Sequence, residues 1–172
     1  RPASAVKELV ENALDAGSTH VQVDLEEGGL KLVRVGDDGC GMVRADVELA
    51  FVAHATSKLA TPEDLEHIAS LGFRGEALAS LGSVARCSLF SRTREASLGW
   101  RIENEGGRLG PGREAGGPQG TIVEVRDLFY NTPARRRFQK RASTELGHCL
   151  DVLQRTALAN AGVGFVVTHD GR

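Results

Sequence analysis

Near the start of the chain Glu8, Asn12 and Asp15 fall at i, i+4 and i+7, and so share one face of a helix. A carboxylate one turn from an amide oxygen suits holding a magnesium ion and orienting a water. A solvated helix face has the same spacing. Asn12 argues for chemistry, because asparagine is a poor helix former at mid-helix and needs a reason to be there.

A second group is Asp37-Asp38-Gly39-Cys40-Gly41. As turn chemistry it also fits an acidic surface turn. In a pocket, Asp37 would accept hydrogen bonds but not donate them, and would select the amine of adenine over the carbonyl of guanine. Gly39 and Gly41 would let the backbone approach a flat ring. A third is Gly72-Phe73-Arg74-Gly75-Glu76-Ala77-Leu78, where glycines lead into a helix. Backbone amides and the positive end of a helix dipole then form an anion site, although a plain loop-to-helix junction looks the same. Thr56, Ser57 and Lys58 lie upstream and could close over the same phosphates. Between Arg126 and Arg141 stand six basic residues against one acidic, a cluster that fits either a solvated helix or a phosphate contact. Neither Gly-x-x-x-x-Gly-Lys-Ser/Thr nor Gly-x-Gly-x-x-Gly occurs, and the five histidines are scattered without a His-Glu-x-x-His.

The elements that position these groups follow from periodicity. Residues 4–16 predict a helix with Val6, Leu9, Val10, Ala13 and Leu14 inward, Ser4 as cap and Gly17 as stop. Strands are expected at 21–25 and 30–35, joined by a turn at 26–29. Helices are expected at 44–55, from Thr61 to near Leu71, and from Gly75 until Gly82 stops it. Further strands fall at 84–92, 99–104 and 121–126, with a flexible surface loop over 106–118. Thr132-Pro133 opens a short basic helix. A long one runs over 144–161 with Leu146, Leu150, Leu153 and Ala157 inward, before a last strand at 163–168. Hairpins with amphipathic helices predict an α+β fold: a two-layer α/β sandwich whose mixed, mostly antiparallel sheet carries helices on one face.

At 172 residues the chain fits one domain with a real core, and its net charge of −2 leaves any DNA contact to a local patch. No apolar run reaches membrane-spanning length. Three separated cysteines, Cys40, Cys87 and Cys149, speak against a disulfide framework and for a reducing compartment. The opening Arg1-Pro2 and the closing Asp170-Gly171 turn lead us to expect a fragment cut at both ends.

Together these groups resemble the MutL family of DNA mismatch-repair ATPases, within the wider GHKL (Bergerat-fold) group of DNA gyrase B, the Hsp90 chaperones and sensor histidine kinases. Glu8-Leu9-Val10-Glu11-Asn12 and the Asp37 turn resemble the wide group; Gly72–Leu78 and Leu128-Phe129-Tyr130-Asn131-Thr132-Pro133-Ala134-Arg135-Arg136 resemble the MutL family itself. The resemblance implies an N-terminal ATPase domain truncated at both ends, with the following transducer and C-terminal dimerisation domains outside residues 1–172. It implies ATP and Mg2+ as cofactors, Glu8 as general base, Asn12 as magnesium ligand and Asp37 as adenine reader. Gly41 and Gly120-Thr121 would line the nucleotide pocket, and Thr56, Ser57, Lys58, Gly72, Arg74, Gly75, Glu76, Ala77 and Leu78 the lid and phosphate wall. Arg135, Arg136, Arg137, Lys140 and Arg141 would meet DNA. Implied partners are DNA, a second copy in an ATP-dependent homodimer, a MutS-type mismatch sensor and a downstream nuclease or helicase, with no membrane. The place of action would be a bacterial cytoplasm at the nucleoid, or a nucleus in a eukaryote. The alternative is a nucleotide-responsive DNA-binding scaffold with little turnover. Asp38 departs from the family's usual asparagine; the change should cost little if its side chain points away from the ligand, but it adds negative charge near the pocket.

Overall fold

The computed structural model describes residues 1–53 and 76–172. Helix α1 (Pro2–Asp15) starts two residues earlier than its apolar spacing predicts. Pro2 explains the shift: its fixed φ and missing N–H suit the first turn. Ser4 therefore lies inside the helix, and Gly17, at φ +72°, follows its end. β1 (His20–Glu26) turns through a 3-10 segment at Glu27–Gly29 into β2 (Leu32–Asp37). Then come α2 (Arg44–Leu49), α3 (Ala77–Val84), β3 (Arg86–Arg92) and β4 (Gly99–Glu105). β5 (Arg108–Leu109), β6 (Arg113–Ala115), β7 (Gly120–Arg126), α4 (Pro133–Arg137), α5 (Ala142–Ala159) and β8 (Gly164–His169) complete the order.

The strands form one sheet in the order β5-β4-β3-β7-β2-β1-β8, with β6 also on β4. Only β1 and β8 run parallel among these pairs, so the sheet is mixed and mostly antiparallel, as predicted. Register lines the inward residues into rows across five strands. One row is Leu25, Val33, Val125, Cys87 and Asn104; the next is Val23, Val35, Val123, Leu89 and Ile102. These face Val6, Leu9, Val10 and Ala13 of α1 and Cys149 and Leu153 of α5 in a single core. The third row reads Val21, Asp37, Thr121, Ser91 and Trp100. Core gives way to polar chemistry at that row.

α2 ends at Leu49 rather than near residue 55, and α3 runs through Gly82 to Val84; two further expectations are corrected. The stretch over 106–118 is not a free loop: β5 and β6 pair with β4, and Gly117 lies against the ring of Phe90, which is 1% exposed. Glycine there leaves room for an aromatic ring that covers the otherwise polar outer face. On α5 the predicted stripe is only partly inward: Leu153 is buried and Leu146 packs against the core, but Leu150 is exposed. Glu145 and Cys149 are buried as well, so the face is rotated by about one residue. The cause is the α4–α5 turn, where Glu145 Oε1 accepts the Lys140 amide at 2.9 Å. Gly28 also sits hard against the Ala142 carbonyl, which fixes the start of α5. The Asp170-Gly171 turn is as expected: both residues have positive φ, and His169 and Arg172 exchange two backbone hydrogen bonds.

Leu89 is fully buried in the second row, within the core that the sheet shares with the helices. Leu89→Ala should cost about 2–5 kcal/mol, seen in urea unfolding as a lower midpoint with an unchanged slope. A loss below about 1 kcal/mol would mean that this row is not the core.

Candidate functional site

The polar row is built where α1 ends. The Cys40 amide donates to the Ala16 carbonyl at 3.0 Å, tying the turn after β2 to the end of α1. A Cβ on Gly39 would stand 2.7 Å from the Ala16 Cβ, and one on Gly41, at φ +70°, would strike the Arg92 carbonyl. Glycine is required at both by close packing. Gln119 Nε2 donates to the Gly39 carbonyl from the opposite side at 3.2 Å.

Asp37 is half-buried on this floor, and its Oδ1 accepts the Gly39 amide at 2.8 Å. Burial pushes its carboxyl up from 3.8 to about 6, against hydrogen bonds from the Gly39 and Thr121 amides and with the help of the Asp38 charge. Asp38 turns the other way. Its Oδ1 accepts the amides of Thr19 (2.7 Å) and His20 (2.9 Å), and its Oδ2 meets Thr19 Oγ1 (2.7 Å) and His20 Nδ1 (3.1 Å). Desolvation favours its neutral acid, but the bonds from Thr19 and His20 prevail and hold the carboxyl well below the usual range. The two adjacent aspartates thus have separate jobs. An asparagine oxygen at position 38 could accept the same two amides.

Ser91 belongs to the same floor, although no sequence motif points to it. It is fully buried, accepts the Met42 amide at 2.8 Å and lies 3.1 Å from the Gly120 carbonyl and 2.9 Å from Thr121 Oγ1. A carbonyl only accepts, so the Ser91 proton goes to Gly120 and the Thr121 hydroxyl donates to Ser91. This leaves Thr121 an acceptor beside Asp37. The available signal is a serine at an inward position of β3, two residues after Leu89.

The other end of α1 borders a cleft of about 340 Å³. Arg1, Ser4, Ala5 and Glu8 form one wall, Glu76, Ala77, Ser80 and Leu81 of the α3 region another, and Leu128, Phe129 and Arg135 a third. The first amides of α3 have no partner within the helix and form its positive end. Glu8, exposed, and Glu76 and Ala77 are therefore brought together, while Leu78 packs partly into the core. Asn12 lies one turn beyond Glu8, half-buried, outside the cleft lining, and its side chain makes no hydrogen bond to a described residue. Asp37, Gly41 and Thr121 belong to the far end of α1. From Glu8 to Ala16 is eight residues, about 12 Å at the helical rise, which suits the span from purine to terminal phosphate in an extended nucleotide. Arg136, Arg137, Lys140 and Arg141 are all exposed on the surface beyond. Thr56, Ser57, Lys58, Gly72, Arg74 and Gly75 lie outside the described residues. Among the described residues no cluster of three His, Cys, Asp or Glu is placed to hold a metal, and no helix is long and apolar enough to cross a membrane.

Residues 1–106 match the model of the histidine kinase-, DNA gyrase B- and HSP90-like ATPases, well over half of the chain. The chain belongs to that ATPase family. Within this family it is 55% identical over its whole length to the DNA mismatch repair protein MutL of Azotobacter vinelandii, and 57% identical to that of Anaeromyxobacter sp. (strain K). It spans only 27% and 28% of those two proteins. Among solved structures it is similar to the Aquifex aeolicus MutL ATPase domain complexed with ADP, with 38% identity and a TM-score of 0.78 over all of this chain and 61% of that one. It is also similar to the N-terminal domain of a DNA repair protein, with 31% identity and a TM-score of 0.81 over 99% of this chain and 50% of that one. The α+β fold read from the sequence is the fold of this ATPase family.

The raised Asp37 carboxyl has a measurable cost. Because its folded pKa of about 6 lies above 3.8, its contribution to stability is full below pH 3.8 and is lost as pH rises through about 6. Asp37→Asn, which never ionises, should be more stable than the natural chain at pH 7–8, and the gain should vanish toward pH 4. Thermal melts across that range test this; a gain independent of pH would contradict it.

Proposed function

We propose that this chain is the nucleotide-binding part of a MutL-type DNA mismatch-repair ATPase, which binds ATP with magnesium and hydrolyses it slowly. The observation that carries this reading is the placement of two unlike sites at the two ends of one helix. A half-buried acceptor on a glycine-lined floor suits a purine. A carboxylate across a cleft from a helix N-terminus suits a terminal phosphate and an attacking water. The ADP complex of the similar Aquifex aeolicus domain supports the same ligand class.

In this reading Asp37 accepts from the adenine amine, with Gly41 against the ring and Thr121 beside it. Glu8 takes the proton of the attacking water. Asn12 fits magnesium because its hard amide oxygen is free of partners among the described residues. Magnesium, when bound there, would neutralise charge on the phosphates. The amides of Glu76, Ala77 and Leu78 would face those phosphates, and Gly72, Arg74, Gly75, Thr56, Ser57 and Lys58 would contribute the rest of the phosphate wall and lid. In the whole protein, ATP would close two copies into a clamp on DNA and hydrolysis would reopen it. Arg136, Arg137, Lys140 and Arg141 would meet the DNA backbone, and a MutS-type sensor and a nuclease or helicase would act with the clamp. The MutL relatives, mismatch-repair proteins by name, support this role.

In the full-length protein, Asp37→Asn should sharply weaken ATP binding, and natural affinity should fall as pH drops below about 6, where the acceptor is protonated. Glu8→Ala should keep ATP affinity and lose turnover by about 10²–10⁴-fold, the usual size of general-base catalysis. Asn12→Ala should lose magnesium-dependent binding and turnover together. Direct titration and phosphate release read these outcomes. Equal loss of binding in the Glu8 and Asn12 variants would refute the division of roles.

A further inference from the structure

Helix α4 carries three consecutive arginines, and successive side chains on a helix point about 100° apart. One flat surface cannot take all three. Arg135 lines the cleft that Glu8 also lines; Arg136 and Arg137 do not. Its guanidinium lies 5.9 Å from the centroid of the Phe129 ring, which is itself part of the cleft wall. Phe129 is held firmly: its φ is +67°, and its amide donates to the Val84 carbonyl at the end of α3 at 2.7 Å. Arg135 therefore rests on a surface fixed to the same helix whose N-terminus faces the cleft. It forms no ion pair with a described residue, so its charge is open to an anion in the cleft.

We propose that Arg135 serves the nucleotide rather than DNA, as a cation that meets charge on the terminal phosphoryl group. This rests on the ATPase reading above. In that hydrolysis the water oxygen bonds to phosphorus, its proton passes to Glu8, and the bond from phosphorus to the ADP oxygen breaks. Arg135 moves no proton. It stabilises the charge that spreads over the phosphoryl oxygens, where a preorganised cation acts most strongly. The basic stretch is then divided, with one arginine turned to the cleft and the rest turned to the duplex.

The test measures ATP affinity, single-turnover hydrolysis and the salt dependence of DNA binding in the full-length protein. Arg135→Ala should lower hydrolysis by about 10²-fold, the loss expected for one preorganised donor, with the DNA salt slope unchanged. Arg135→Lys should recover part of the rate, and serves if the alanine variant does not fold. The Arg136→Ala, Arg137→Ala double variant should flatten the salt slope by about 0.9 for each phosphate no longer neutralised. Arg155→Ala, on an exposed part of α5, controls for removal of one positive charge and should change neither. Natural hydrolysis in both Arg135 variants would overturn the proposal, as would an Arg135→Ala slope that flattens like its neighbours' while turnover persists. Glu8→Ala in the same assay separates the failures. If it turns over ATP normally, the ATPase reading falls and this proposal with it; if it is inactive while the Arg135 variants are normal, only this proposal falls.

Discussion

The pairing of Val35 with Val123, and of Val123 with Leu89, decides where every inward side chain of the central strands must point. Side chains alternate along a strand, so a slip of one residue would turn the whole set to the outer face. That register carries Asp37, Thr121 and Ser91 to the helix side, one step beyond the last apolar row. They are polar groups on a core face beside the end of α1 at Asp15, where Asp37 and Thr121 stay half-exposed and Ser91 is buried. The result is a carboxylate shielded enough to be selective, at a cost in stability when it ionises. Asp38, one residue on, faces outward and spends its charge on the start of β1. The adjacent residues have opposite pKa shifts because Asp37, the end of β2, is partly buried, while Asp38, just past the strand, is hydrogen-bonded by Thr19 and His20.

α1 serves two demands that conflict in most helices. Val6, Leu9, Val10 and Ala13 bury one stripe, so the helix is anchored against the sheet. Its exposed edge presents Glu8 and, a turn later, Asn12, so the same anchoring that stabilises the fold also fixes their spacing. The turn at Gly39 and the N-terminal region of α3 are held by different parts of the chain, yet both are measured off this one rod. Packing at Gly39 against Ala16 sets one end of the scale and the α1–α3 contact the other.

Much of this is legible in the sequence because strong local patterns agree with the global fold. The apolar spacing of α1, the alternation of β2 and β7 and the Asp37 glycine turn each identify their element, and the short motifs identify the ATPase family. What is not legible depends on contacts distant in sequence. Glu145 reads as a surface residue of α5, and only its bond to the Lys140 amide accounts for its place inside. The glycine-rich stretch over 106–118 reads as a loop because its strands are two and three residues long and borrow their order from β4. Ser91 has no motif of its own; its importance comes from three neighbours on β7 and after β2. Arg135 looks like its fellow arginines until the direction of α4 is known.

The parallel pairing of β1 with β8 matters for how the protein is made. His20 lies opposite Gly164, and Thr168 Oγ1 reaches Asp24 Oδ1 at 2.7 Å across 144 residues of sequence. Contacts so remote close slowly, because the intervening chain must be ordered before the pairing rewards it. During synthesis the first helix and strand leave the ribosome long before β8 exists. One side of β1 must wait with unpaired backbone groups and a half-covered apolar face, a template for mispairing with other chains. The edge of the sheet that carries β1 and the Asp37 turn therefore becomes dependable only once β8 has paired with β1.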